Sequence, residues 1–586
     1  MGQHMARPVE AKKSHVVRNV VIAILLLLVA CAAVAGVFGY QLYKSAMAAK
    51  THVYAVVDEA AKLKSGSAAD ILANLDGSIA KMQKEAKSAQ QEVDKPIWNM
   101  ASKLPIYGSD IASVRTTVGV LNDFANGTLP QLQRSADQLF NSNLSDGNGG
   151  LNVEPMITAA EGLNTTTKTM RAQSDTLNKL PEAHLGVINK ALTEGKTQFN
   201  TLADKVDELT GIINMMPSFL GANGTRNYVL LAQTNSEIRS SGGLCGSAGS
   251  FTADHGKITV GEFHPDAEFH GSAVDQLHDD DAYVFSDLWF GQVIHNITST
   301  PNFPQSARMA SELWQQQSFG FQTDGVMSLD PVALQSMVAD TQPVTMPDGR
   351  VLDGSNTASF LLNGVYKEVA VADQDKYFSS VAEQVVSNLF SDMNSQKLMK
   401  LASTLMKMGE QRHVYFWSFH DEDLAALRSA GVTGEISSDK TNPVTGLYLN
   451  EMAASKIDYY IDRKTVVTRT NGNTYHVTTT FTNRLQPGEV AALPEYIKAN
   501  GKTGIASNDL MIYAPAGGSV ANVETSAGTS FRRYSVDDHD VYKTSISIAP
   551  ASTVTVTWDV TVADGAQPLK FDQTPTITDP NVTYQY

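Results

Sequence analysis

Cysteine is nearly absent. Cys31 and Cys245 are the only two in 586 residues, one inside an apolar N-terminal run and one far beyond it. An intrachain disulfide framework is therefore excluded for the part after that run, and its stability must come from ordinary cores. Cations are also in the minority: 45 Lys and Arg stand against 61 Asp and Glu, a formal net charge of -16. That balance argues against a nucleic-acid partner, since neutralising phosphates needs clustered Lys and Arg. Tight zinc spacing is missing as well, with neither Cys-x-x-Cys nor His-x-x-x-His in the chain.

What is present divides by pattern. The chain is too long for one core, so three or four structural units are expected. Val20 to Tyr40 carries no charge over a length suited to a transmembrane helix, and Arg7, Lys12, Lys13 and Arg18 precede it. Residues 1–19 thus read as a cytoplasmic tail, 20–40 as an uncleaved signal anchor, and the bulk as extracytoplasmic at the cell membrane. Leu28-Val-Ala-Cys31 has lipobox form and Ala33-Val-Ala35 resembles a cleavage site, but the apolar run continues past Cys31.

Residues 45–220 read as an extracytoplasmic α-helical bundle. Leu72, Leu75, Ile79, Met82, Ala86, Ala89 and Val93 recur at heptad spacing, as do Leu185, Ile188, Leu192, Gly195, Phe199, Leu202, Val206, Leu209 and Ile213. A parallel oligomerising coiled coil is the alternative, against which Pro96, Pro105, Pro130, Pro155 and Pro181 cut the region into hairpin-sized pieces. Val118 to Leu139 suggests another helix pair, cut at Pro130, and Asn141 to Gly150 a flexible loop. Residues 221–442 alternate strand and helix patterns: strands at 227–233 and 257–263, helices at 304–316, 331–338 and 374–390, an α/β domain. From 450 to 586 the pattern changes to strict alternation, as in Tyr475, Val477, Thr479, Phe481 and in Val554, Val556, Trp558, Val560. An antiparallel β-sandwich is the expectation there.

The chemistry is expected after the first strand of the α/β domain. Asn227-Tyr-Val-Leu-Leu-Ala-Gln-Thr-Asn-Ser-Glu-Ile-Arg-Ser-Ser-Gly-Gly reads as a buried strand running into a polar, glycine-rich turn, and open α/β sheets bind ligands at such strand ends. Arg239 beside Gly242 and Gly243 suits a phosphate, through guanidinium pairing and an anion nest. Asn235 and Glu237 offer hard oxygens to magnesium. Asp324 falls at a turn before a short strand, and Asn302 in a rigid Pro301 to Pro304 stretch that either lines a cleft or is a plain loop leading into a helix from Pro304. The set His264, Asp266, His270, His278, Asp279, Asp280, Asp281 and Asp287 is metal-like in composition only and reads as a solvated loop, with a metal-dependent hydrolase as the outlying reading. Cys245 lacks a nucleophile elbow and reads as a buried, inert thiol.

The same Asn227 to Gly243 segment, with Asn302-Phe-Pro-Gln-Ser-Ala307, Asp324-Gly-Val326 and Lys456-Ile-Asp-Tyr-Tyr-Ile461, resembles the bacterial family catalogued as domain of unknown function 4012 (DUF4012). The order of strand, Arg239, second strand and Asp324-Gly-Val326 is also similar to the LytR-CpsA-Psr phosphotransferases, which move a glycopolymer from a polyprenyl-pyrophosphate carrier onto the cell wall. That resemblance implies catalytic roles for Arg239 and Glu237, with Arg239 gripping the pyrophosphate. It also implies Asn235 or Glu237 on magnesium, with Gly242 and Gly243 close to the phosphates. The chain departs from it late in the domain, where the transferases carry further arginines and this sequence has Tyr366-Lys-Glu and Asp375-Lys-Tyr-Phe-Ser. The expectation is an envelope protein that binds or transfers lipid-pyrophosphate-linked glycopolymer, with a non-enzymatic envelope scaffold or binding protein as the alternative.

Overall fold

The computed structural model describes residues 36–586, apart from 66–67, 141, 147–149, 274–283, 392, 499–502 and 579–580. The described chain forms two compact units, residues 36–142 with 154–214, and residues 143–153 with 215–586. Among the described residues no helix is long and apolar enough to cross a membrane. The expected anchor at 20–40 lies outside the described residues as far as residue 35.

The first unit is built from α1 (Gly36–Ser65), α2 (Ala68–Val93), α3 (Pro96–Ala101), α4 (Gly108–Asp123), α5 (Leu129–Phe140), α6 (Glu154–Asn178) and α7 (Gly186–Phe219), the last running on into the second unit. The first heptad seam is its core: Ile79, Met82, Ala86, Ala89 and Val93 are all buried. Ala46 and Ala49 of α1 are fully buried in one cluster with Ala89 and Val93, since small residues let helix axes approach closely. Trp98 donates its Nε1–H to Ser45 Oγ, which in turn donates to the Glu92 carboxylate. The second seam drifts from strict heptads: Leu202 is 40% exposed while Ala203 is fully buried, because a straight helix turns every 3.6 residues. The helix pair expected around Pro130 is one continuous run, in which a π-helical turn at Phe124–Thr128 joins α4 to α5. The wider turn, with Leu129 N–H donating to Phe124 O, takes up the clash that a proline makes with the preceding turn.

In the second unit, a five-stranded sheet has the order β3-β2-β1-β4-β7, with β1 (Arg226–Arg239), β2 (Gly242–Asp254), β3 (Lys257–Pro265), β4 (Gly325–Leu329) and β7 (Val414–Ser418). Only β1 and β4 pair parallel; every other pair is antiparallel, so this is a mixed sheet and not a doubly wound one. Helices α8 (Phe303–Gln315), α9 (Pro331–Asp340), α10 (Val371–Phe390) and α11 (Ser395–Glu410) fill the connections, with the small hairpin β5 (Val344–Thr345) and β6 (Val351–Leu352); α12 (Asp421–Ser429) follows β7.

The C-terminal region holds two further five-stranded sheets. One has the order β12-β15-β10-β9-β17, from β9 (Ile461–Asn471), β10 (Thr474–Asn483), β12 (Ser519–Thr525), β15 (Thr553–Thr561) and β17 (Val582–Gln585). The other has the order β13-β14-β11-β8-β16, from β8 (Val444–Glu451), β11 (Ala506–Tyr513), β13 (Arg532–Val536), β14 (His539–Ile548) and β16 (Lys570–Gln573). Both are antiparallel except where β17 joins β9 and β16 joins β8. The alternation read from Tyr475 to Phe481 and from Val554 to Val560 is the buried face of the first of these sheets.

One core joins the β1-β4-β7 sheet to the β8-β11-β14 sheet. Tyr228, Val229 and Leu231 of β1, Phe303 and Trp314 of α8 and Tyr415 of β7 pack in the same cluster as Tyr448, Met511, Tyr513 and Val541 of the β8-β11-β14 sheet. That sheet is therefore apolar on both faces at its centre, which is why β8 and β11 are buried almost without alternation.

Candidate functional site

The polar half of the Asn227 to Gly243 segment is strand, where a turn was expected. Beyond Ala232, β1 outruns β4, which ends at Leu329. There it also slips against β2: Thr234 faces Leu244, the next matched pair is Ile238 with Gly243, and Asn235, Ser236 and Glu237 form a bulge between them. A bulge bends its strand and re-aims side chains, and here residues 235 to 239 are all buried. The turn itself is reduced to Ser240 and Ser241.

Arg239 is 4% exposed and held on all sides. Its Nε–H donates to Asn296 Oδ1 at 2.9 Å, Nη1 to Ile238 O at 2.9 Å and Nη2 to Glu237 Oε1 at 3.3 Å. The other oxygen of Glu237 accepts from the Lys456 ammonium, which lies 5.7 Å and 5.3 Å from the ring centres of Tyr366 and Tyr496. Burial pushes Glu237 upward, but Lys456 and Arg239 outweigh it and hold the carboxyl below its usual range. Burial likewise opposes the Lys456 charge, and Glu237 more than restores it. The end of β1 is fastened to the C-terminal region by backbone bonds as well: Ile238 N–H donates to Asp458 Oδ2, Ser240 N–H to Asn450 Oδ1, and Ser240 O accepts from Thr574 Oγ1.

Two further carboxylates close the cluster. Burial, then Asp458 and Glu237, raises Glu451 to about 8; burial raises Asp458 to about 6 against the bonds it accepts from Asn508 and Ile238. Glu451 Oε2 and Asn508 Oδ1 are both buried acceptors without a hydrogen-bond partner, and the two residues face each other across β8 and β11. A proton on Glu451 Oε2 converts that pair of acceptors into a donor and an acceptor. The cluster then holds two cations, Arg239 and Lys456, against two carboxylates.

The other expected site residues do not gather here. Asn235 donates to Asp330 Oδ2 at 2.6 Å, beside His413. Asp324 sits at the opposite end of β1, accepting from Asn227 N–H at 2.7 Å and paired with His420 Nε2 at 2.7 Å. Arg239 lies twelve positions along the chain from Asn227, on the order of 30–40 Å of strand. Asn302 donates to Asp537 Oδ2 at 2.9 Å on the surface. The two glycines admit their own partner strand rather than a ligand. A Cβ at Gly243 would stand 2.1 Å from Thr234 O, and one at Gly242, whose φ is +123°, 2.0 Å from Gln233 Oε1. Magnesium does not fit either: both oxygens of Glu237 already accept from cationic donors, which leaves Asn235 a single uncommitted oxygen.

His264 stacks on Phe319 with ring centres 3.6 Å apart and bonds Glu268, while Asp266 pairs with His295. His278 to Asp281 lie outside the described residues, and among the described residues no His, Cys, Asp and Glu group is placed to hold a metal. Cys245 is fully buried, and burial pushes its thiol far up.

Lys456, Asp458, Glu451, Asn450 and Asn296 are the partners that sequence reasoning did not assign. The signal was present for two of them, since Lys456 and Asp458 open the Lys456 to Ile461 segment, in which cationic and acidic residues interrupt an otherwise apolar stretch.

Residues 223–366 match the model of a family described as a protein of unknown function, DUF4012. No curated protein matches the chain.

Proposed function

We propose, from the match of residues 223–366 to the DUF4012 family model and from the geometry of the Arg239 cluster, that the chain is a non-enzymatic binding or scaffold protein of the cell envelope, not a glycopolymer phosphotransferase. The observation that carries this reading is the closure of Arg239. A residue that grips pyrophosphate must offer free N–H donors in a cleft, whereas every nitrogen of Arg239 already has an acceptor and the side chain is 4% exposed. The signature residues instead act as an internal tether, fastening the end of β1 to the C-terminal sheets. Membrane attachment is supported by the uncharged run Val20 to Tyr40, and a β-sandwich contact surface by the two C-terminal sheets.

The test is to incubate the full chain, in detergent, with a polyprenyl-pyrophosphate-linked glycan, magnesium and a cell-wall acceptor, and in parallel to sediment it with purified wall glycan. The expected result is co-sedimentation without transfer, with Arg239→Ala lowering the melting temperature. Transfer that is lost in Arg239→Lys while the melting temperature holds would overturn the reading.

A further inference from the structure

A second arginine pair lies at the junction of α11, β9 and β16, away from the Arg239 cluster. Helix α11 ends in a Schellman motif, with His413 N–H donating to Met408 O and Arg412 N–H to Gly409 O. The position that ordinarily takes glycine is Arg412, with φ +65°. A left-handed backbone is unfavourable for a non-glycine residue, and such strain persists where a side chain is required. Here the required group is a buried guanidinium. Its Nε–H donates to Tyr415 OH at 3.1 Å, Nη1 to Asp572 Oδ2 at 2.7 Å and Nη2 to Pro301 O, between the rings of Tyr415 and Tyr448. Asp572 Oδ2 also accepts from Tyr448 OH, and Oδ1 from Gln573 N–H.

Arg463 is left over. It is 6% exposed, Nη2 donates to Thr574 O at 2.6 Å, and Nη1 is buried with no partner among the described residues. Burial depresses it to about 9, with Asp572 only partly opposing. Arg412, Arg463 and His413 line a cavity of about 70 Å³, together with Asp572, Thr576 and Thr578. His413 Nδ1 lies 2.5 Å from Asp330 Oδ2, so Nε2 is the ring nitrogen left for a ligand. Asp330 is itself fixed as the cap of α9, accepting from Val332 and Ala333 N–H. Glu410, the other carboxylate on the lining, is exposed and screened by solvent.

We propose that this cavity binds a tetrahedral oxyanion, inorganic phosphate or the phosphoryl end of an ester, with Arg463 as its principal donor, Arg412 supplying fixed positive charge and His413 a further contact. A buried guanidinium with an unused N–H edge matches phosphate oxygens. A cavity of about 70 Å³ has room for more than one water molecule, and so for a small oxyanion.

Calorimetric titration of the full chain with inorganic phosphate, sulfate and acetate at constant ionic strength tests this. Expected is saturable binding of phosphate, weaker binding of acetate, at least a tenfold loss in Arg463→Met, and no change in Arg428→Met, a control on a surface arginine paired with Glu435. Should Arg463→Met fail to fold, Thr578→Trp blocks the cavity from an exposed lining position and is expected to give the same loss. No saturable phosphate binding by the wild type, or binding untouched by folded Arg463→Met and by Thr578→Trp, would overturn the proposal.

Discussion

Glu451 is 1% exposed and faces Asp458 and Glu237, so its proton is a matter of stability. In the folded chain it is pushed up to about 8, from the ordinary carboxyl value of 4.5. Between those limits the folded chain holds a proton that the unfolded chain has released, and stability falls as pH rises through that window. Asp458, raised from 3.8 to about 6, acts in the same direction at lower pH. Glu451→Gln reproduces the protonated form, keeping an acceptor for Ala453 N–H and Ser455 Oγ–H and presenting N–H donors toward Asn508 Oδ1. The variant is expected to match the wild type near pH 5 and to exceed it at pH 8 by on the order of a few kcal/mol. Urea melts of both proteins across pH 5 to 8 measure this; parallel profiles would mean that Glu451 is ionised in the folded chain.

At the scale of single elements, β1 shows where a sequence is legible and where it is not. Tyr228 to Ala232 reads as a strand buried on both faces because the residues are apolar and continuous, and the structure pairs that stretch with β2 and β4. Asn235 to Arg239 reads as a turn because polar residues beside two glycines ordinarily meet water. Nothing local announces that Lys456, Asp458 and Asn450, more than two hundred residues later, satisfy them. Glycine carries the same ambiguity, since close approach by a ligand and by a neighbouring strand demand the same missing side chain. The two are separable by mutation. At Gly243 an added Cβ would meet backbone, Thr234 O at 2.1 Å, and backbone cannot rotate away as a side chain can. Gly243→Ala is therefore expected to lower stability by about 2–4 kcal/mol in denaturant melts, whereas a glycine kept only to admit a ligand would leave the melts unchanged.

For the chain as a whole, alternation marks where mixed α/β pattern gives way to strands, but it does not show that the β8-β11-β14 sheet is covered on its second face. Tyr448, Met511, Tyr513, Val536 and Val541 are buried in one cluster with Tyr228, Phe303 and Tyr415. Five such side chains, at about 1.5–3 kcal/mol each, amount to roughly 10 kcal/mol, as much as the whole stability of an ordinary domain. Removing the C-terminal region would also strip Glu237 of Lys456 and leave the buried end of β1 without Asp458 and Asn450, and an uncompensated buried charge costs several kcal/mol more. A fragment of residues 215–442 is accordingly expected to be insoluble or to bind ANS without a cooperative melt, while residues 215–586, which leave out the first unit, keep a native near-UV spectrum in their β-rich part. A sharp thermal transition in the 215–442 fragment would show that the α/β sheet has a core of its own, and that the polar tether at Arg239 joins two independently stable bodies.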